Sequence, residues 1–281
     1  MRFRGRYIPA TLAATCLIGI LSAQLPFREY EGAEYRLGEV PKPAGWEEPG
    51  EWVFARLMYP QSRSANAFRS TAMFDWRQGG TSWTIDYPRA DRHMIEMTNR
   101  LTRVRGRGVE QPVNLDDGDD AMNFPWMYVV EPGQWDLSDA QAKKLRDYLL
   151  RGGFMMLDDF HGLYEWQIFA ASMARVFPDR PIVDVPATHP IFHTIWDLDE
   201  RFQVPGEQFL YSGRTYERDA SGMQPHWRGI YGDDGRLMVA ICHNMDLGDS
   251  VEHSDNPAYP EKYSAQGMRT FVNYLIYSMT H

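Results

Sequence analysis

The sequence predicts an α/β protein with a mostly parallel central sheet, and three observations carry that prediction. Short apolar runs alternate with amphipathic segments along the middle of the chain. One run, residues 154–157, lies between Gly152-Gly153 and Asp158-Asp159. It reads as a helix stop, a strand covered on both faces and a polar strand end. With 281 residues, 43% of them hydrophobic, the chain can bury one sizeable core.

Residues 1–23 combine a positive start (Arg2, Arg4, Arg6) with an apolar stretch over 10–21 and the small pair Ser22-Ala23 before Gln24, the pattern of a secretory signal peptide. The alternative is an uncleaved N-terminal anchor, since residues 8–25 approach the ~20 that a membrane span needs. Either way the body is expected outside the cytoplasm, periplasmic or secreted in the first case and membrane-anchored facing the periplasm in the second. The residues before Cys16 make no lipoprotein cleavage box, so cleavage leaves Cys242 alone. One thiol forms neither an internal disulfide nor a zinc-cysteine cluster, and its place at the end of an apolar run marks a buried, inert side chain.

Residues 24–50 carry Pro41, Pro43 and Pro49 without helical or strand period and read as a linker or surface-hugging arm, while residues 51–281 read as a single α/β domain. Residues 52–59 give the first strand, stopped by Pro60. Met94, Met97, Thr98 and Leu101 then fall at helical spacing, with Asp91 as N-cap. Residues 124–131 are the next strand. Ser138 and Gln141 form a capping box for the helix that runs to Gly152-Gly153. After the strand 154–157, a helix over about 163–176 buries Trp166, Phe169, Ala170 and Met173, and a short strand follows over 182–185. Residues 227–231 and 236–242 flank an Asp-Gly turn and predict a hairpin. The last helix starts near Ser264, with Met268, Phe271, Val272, Leu275, Ile276 and Met279 as its apolar stripe.

The net charge of −9 becomes −12 when residues 1–23, with three arginines and no acids, are removed. An anionic body repels phosphate backbones, and the one basic run, 103–107, is short, so no nucleic-acid partner is expected. The acidic run 116–120 lacks the ligand spacing of a helix-flanked calcium loop and reads as a solvated loop.

Chemistry-bearing residues gather at two strand ends. Asp158, Asp159 and His161 emerge at the carboxyl edge, where open α/β sheets hold ligands. His243, Asn244, Asp246 and Asp249 follow the strand 237–242. If the two strands are parallel, the clusters can converge in one acidic crevice; if antiparallel, they lie at opposite edges. Plainer readings compete. One of Asp158 and Asp159 caps the helix near Leu163, the histidines are satisfied structural groups, and Asn244, Asp246 and Gly248 are turn formers. Imidazole with carboxylates suits zinc, iron or manganese, but no His-Glu-x-x-His helix is present and a metal-free site is expected. His189-Pro-Ile-Phe-His193 reads as a structural latch. Tyr259, Tyr263, Trp83, Trp126, Trp135 and Trp166 read as core in preference to pocket lining.

The motifs Asp86-Tyr-Pro-x-Ala-Asp91, Leu149-Leu-x-Gly-Gly-Phe154, Asp158-Asp-Phe-x-Gly162, Arg175-Val-Phe-Pro-Asp179, His189-Pro-Ile-Phe192 and Asn244-Met-Asp-Leu-Gly248 occur in this order. Together they resemble the domain-of-unknown-function family numbered 4159, over about residues 52–281. The resemblance implies a flavodoxin-like, class I glutamine amidotransferase-like three-layer sandwich with a mostly parallel central sheet, in a family often found in the bacterial envelope. Amidotransferases of this fold carry Gly-x-Cys-x-Gly at a strand-to-helix turn and a histidine after the last core strand. The resemblance puts Phe160 at the cysteine, Gly162 at the closing glycine and His243 near the histidine. With no thiol or hydroxyl at that turn, no glutaminase activity is expected.

The resulting expectation is an extracytoplasmic ligand- or partner-binding module of the cell envelope. It takes a small polar ligand, a glycan or an envelope protein at Asp158, Asp159, His161, His243, Asn244 and Asp246. The alternative is a hydrolase-like enzyme with Asp158 or Asp159 as general base and His161 or His243 as acid or metal ligand. The membrane enters only through an uncleaved N-terminal segment.

Overall fold

The computed structural model describes residues 24–62 and 75–281; the signal or anchor expected over 1–23 lies outside them. Seven strands form one sheet. In spatial order they are β2 (Gln111–Asn114), β1 (Ala55–Met58), β3 (Trp126–Val130), β4 (Phe154–Asp158), β7 (Leu237–His243), β6 (His226–Tyr231) and β5 (Val183–Asp184). The pairs from β2 to β7 are parallel, with Val130 opposite Asp158 and Leu157 opposite Ile241, and β6 and β5 add an antiparallel margin. Chain order reverses between β1 and β3, because β2 lies on one side of β1 while β3 and β4 follow on the other.

Alternation along each strand divides the core into two layers. Trp126, Tyr128 and Val130 of β3 join one cluster, with residues of α1 (Arg89–Leu101), α5 (Leu247–Glu252) and α6 (Glu261–Thr280). Met127 and Val129 join the other, with residues of α2 (Asp139–Leu150) and α3 (Gly162–Val176). A four-residue α4 (Phe209–Ser212) interrupts the long β5–β6 connection. Among the described residues, no helix is long and apolar enough to cross a membrane.

Local signals act as the residues predict at several points. Ser138 and Gln141 complete the capping box of α2 through bonds of 3.0 and 3.2 Å. Gly152, at φ 111°, takes a turn conformation that side chains rarely adopt. In the predicted latch, Ile191 and Phe192 are buried and His189 accepts a hydrogen bond from Ile191 N. Residues 24–50 lie against the body, where Leu25 N donates to Asp120 and Arg92 pairs with Glu29.

Other points need correction. Asp91 does not cap α1, which begins two residues earlier at Arg89; its carboxylate is drawn inward by the buried Arg56 guanidinium. Neither Asp158 nor Asp159 caps α3. His161 holds the cap position, and its backbone N–H is taken by Glu165 at 2.6 Å. Trp166 and Ala170 are only half-buried, and Met279 near the end of α6 is exposed. Strand β2 is the short Gln-Pro-Val-Asn segment, with Pro112 tolerated because β2 sits at the sheet edge.

Candidate functional site

Strands β4 and β7 run side by side and end together, and the chain stays tied just beyond them. Asn244 N donates to Phe160 O at 3.0 Å and Asp159 N to Met245 O at 3.1 Å. Asp159 (φ 53°) and Asn244 (φ 63°) then turn each segment out of the sheet in the left-handed region. Such a conformation costs on the order of 1 kcal/mol for a residue with a side chain. Among the described residues, five non-glycine positions adopt it: Asp86, Glu131, Asp159, Arg218 and Asn244. The first four line a single crevice at the carboxyl edge.

That crevice has a volume of about 360 Å³ and is lined by nine carboxylates, which face one arginine and one histidine. The strand ends supply Glu131 and Asp159, and the β7–α5 turn and α5 supply Asp246, Asp249 and Glu252. Asp86 comes from the turn before α1, Glu34 from the N-terminal arm, and Glu207 and Glu217 from the β5–β6 connection. Asp86 is 1% exposed, and neither of its carboxylate oxygens has a hydrogen-bond partner. It sits over Gly248, where an added Cβ would lie 2.4 Å from its Oδ2, so only glycine leaves room for it. Its backbone N–H donates to Glu34 at 2.9 Å, which brings the arm into the wall.

Burial and crowding of like charge act together here. Burial, then Asp249, Glu252 and Glu34, pushes the Asp86 carboxyl well above the usual carboxylate range. Burial, followed by Asp159, Asp249 and Asp86, does the same to Asp246. Glu252, which accepts a hydrogen bond from Tyr35, is pushed up to about 8 by burial and by Asp249. Beside Gly206, where no side chain intrudes, oxygens converge. A Cβ placed there would lie 2.3 Å from Asp246 Oδ2, 2.6 Å from Asp249 Oδ2 and 2.8 Å from Gln208 Oε1.

The opposite wall is differently built. His161 Nε2 lies 3.1 Å from Asp159 and 3.8 Å from Glu217. Burial opposes a charged ring, but Glu217 and the hydrogen-bonded Asp159 outweigh it and lift His161 to about 9. Arg218 reaches Glu165 at 2.7 Å, Glu217 at 3.3 Å and Glu131 at 3.7 Å. On this side each acid has a cation beside it.

The residues singled out in the sequence therefore divide. Asp159, Asp246 and Asp249 line the crevice, and His161 stands behind Asp159. Asp158 is fully buried beneath the crevice and holds the start of α5, accepting from Leu247 N at 2.6 Å and Gly248 N at 2.9 Å; burial and then Asp159 push it up to about 8. The Asn244 carboxamide is consumed by Gly162 N, Ser221 O and Gln224 O. His243 is turned to the other layer, against Phe160 (ring centroids 4.8 Å) and Trp166 (4.9 Å), with Nε2 at 3.2 Å from Gly162 O. Burial, aided by His226, His161 and Arg228, holds it down at about 3, so the ring is neutral. Cys242 is fully buried, and burial pushes its thiol well above its ordinary value.

The sequence reading missed Glu34, Asp86, Glu131, Glu207, Glu217, Arg218, Glu252 and His253 as site residues. One signal was present. Asp249, Glu252 and His253 stand at i, i+3 and i+4, which places them on one helical face.

No curated protein matches the chain. Residues 73–279 match the domain of unknown function DUF4159. That span is well over half of the 281 residues, and the chain belongs to the DUF4159 family.

Proposed function

We propose that this chain is a non-catalytic binding module whose carboxyl-edge crevice recognises a cation, or a polar ligand that carries one. The observation that carries the reading is the charge balance of the crevice, nine carboxylates against one arginine and one histidine, in walls held by four left-handed residues. Like charges gathered in a half-closed space destabilise the fold, and perturbed carboxyls of this kind gather at functional sites. The reversal of strand order between β1 and β3 supports the flavodoxin-like, class I glutamine amidotransferase-like reading, in which ligands sit outside the carboxyl ends of the strands. Export to the cell envelope rests on the pattern of residues 1–23. A mature chain beginning near Gln24 in the envelope fraction would support it, and recovery of the intact chain from the cytosol would not fit.

The hydrolase reading has less to build on. A general base must reach its proton within hydrogen-bond distance. Asp158 is buried and occupied by two backbone amides, and His243 lies behind Phe160 in the other layer. Asp159 does reach the crevice, already bonded to His161. At the turn where amidotransferases of that fold carry a nucleophile, Phe160 is fully buried among Phe169, Trp166 and His243.

Scanning calorimetry at fixed ionic strength, with magnesium, calcium, manganese or spermidine added in turn, tests the binding reading. At least one of the four is expected to raise the melting temperature by several degrees, because a ligand that binds only the folded state stabilises it by mass action. The double variant Asp246→Asn/Asp249→Asn should lose that shift. A melting temperature indifferent to all four would overturn the reading.

A further inference from the structure

We propose that the crevice holds a divalent cation at a site built on Asp86, Asp246 and Asp249, which Glu252 and His253 extend along α5. The inference rests on the binding reading above and deepens it by naming the ligand.

Three features support it independently. Asp86 is 1% exposed, faces the crevice, and has no hydrogen-bond partner on either oxygen. A carboxylate is not buried bare without strong cost, and a cation supplies what no donor of the protein provides. Next, ligand atoms of Asp86, Asp246 and Asp249 all lie within 4.8 Å of one another. One ion with bonds of about 2.0–2.6 Å to oxygen spans such a set. Last, the Asp246 and Asp249 oxygens are drawn together against Gly206, where any Cβ would lie 2.3 and 2.6 Å from them, and the Glu207 amide fixes Asp249 Oδ2 there at 2.6 Å.

The donor set also indicates the class of ion. Asp249, Glu252 and His253 form a second group within the same distance, sharing Asp249 with the first. Carboxylates with one imidazole and no thiolate suit hard cations, and the imidazole favours manganese over magnesium or calcium. The group Asp159, His161 and Glu217 is equally close-set, yet it is not a second candidate. Its imidazole Nε2 is already engaged by Asp159 at 3.1 Å and Glu217 at 3.8 Å, and Arg218 stands beside Glu217 at 3.3 Å, so the charges of this group are balanced within the chain.

The test uses the full chain, stripped with a chelator and titrated with manganese. Free manganese is followed by its electron paramagnetic resonance signal and bound ion by calorimetry, and magnesium and calcium are titrated in parallel. Saturable manganese binding is expected for the wild type. Asp86→Asn and Asp246→Asn should each weaken it by at least about tenfold, or 1.4 kcal/mol. Circular dichroism and melting temperature report whether each variant is folded. Failure of the wild type to bind any of the three ions up to millimolar concentration would overturn the inference, and so would unchanged affinity in both folded variants. If spermidine alone stabilises the protein, the metal inference falls and the cation-binding reading stands. If neither ions nor spermidine bind, both fall.

Discussion

Two groups of buried charge lie one residue apart in this protein, and they are built on opposite principles. In the first, Arg56 is fully buried on β1 and bonded to Asp91 of α1, with its Nε 2.8 Å from Oδ2 and its Nη1 held by the carbonyls of Trp83 and Ile85. Arg92 continues it, paired with Glu110 at 3.1 Å and Glu29 at 2.7 Å. In the second, Asp86 follows directly on Ile85 and joins Asp246, Asp249 and Glu252 with no hydrogen-bond donor for its carboxylate. Every charge of the first group is answered within the chain. In the second, Asp246, Asp249 and Glu252 accept bonds from Asp249 N, Glu207 N and Tyr35, but no cation among the described residues is hydrogen-bonded to any of them and the Asp86 carboxylate has no donor at all. That difference separates a structural ion network from a binding site.

The largest effect should come from breaking the closed group. Asp91→Asn leaves the Arg56 guanidinium buried and charged without its bidentate partner, and it should cost about 3–5 kcal/mol of stability. Urea unfolding would show this as a lower midpoint at similar slope. A loss below about 1 kcal/mol would mean that Arg56 finds water or another acid, and the contrast between the two groups would weaken.

His243 offers a smaller test of burial without an opposite charge. Its folded value of about 3 lies below the ~6.5 of an unfolded histidine. Between those values the unfolded chain binds a proton that the folded chain does not, so stability rises with pH there and is lost as pH falls from about 6.5. At pH 5 the loss relative to neutral pH should approach about 2 kcal/mol. His243→Gln, which cannot take up the proton, should flatten that part of the profile measured by urea unfolding at several pH values. An unchanged slope in the variant would show that His243 is charged in the fold.

The sequence carried the closed parts of this molecule better than the open one. The α2 capping box, the buried strand 154–157, the Asp-Gly hairpin and the latch at His189 depend on neighbours within a few residues, where local chemistry decides the outcome. Strand β2 escaped because four residues, of which only Val113 is a strand-forming apolar residue and one is a proline, acquire their structure from pairing with β1, which no local pattern encodes. The crevice was half legible. Asp159 and Asp246 stand at strand ends, and the parallel pairing of β4 with β7 brings them to one edge. Asp86 and Glu34 come from a turn and an arm far away in the chain, and their roles depend on tertiary placement alone. His243 was misplaced for a related reason. The chain leaves β7 with its ring on the Phe160 side of the sheet, a direction that strand-end position does not specify.

Asp86→Asn sharpens the comparison most, although its effect on stability is the smallest. The substitution keeps shape, and asparagine tolerates the left-handed backbone that Asp86 adopts at φ 60°, so the fold should accept it. It removes a carboxyl whose ionisation is opposed by burial first and then by Asp249, Glu252 and Glu34. In chelator-treated protein at neutral pH, relief of that crowding should therefore raise stability, by roughly 1 kcal/mol. The same change in the closed group lowers stability, because there the carboxylate has a partner to lose. When a binding cation is added, the order should reverse, since the wild type gains stabilisation by mass action that the variant lacks. Unfolding midpoints measured for both proteins with and without the cation would reveal the crossing. A variant less stable than the wild type in the absence of any cation would show that Asp86 is satisfied within the fold, and the crevice would then belong with the closed group.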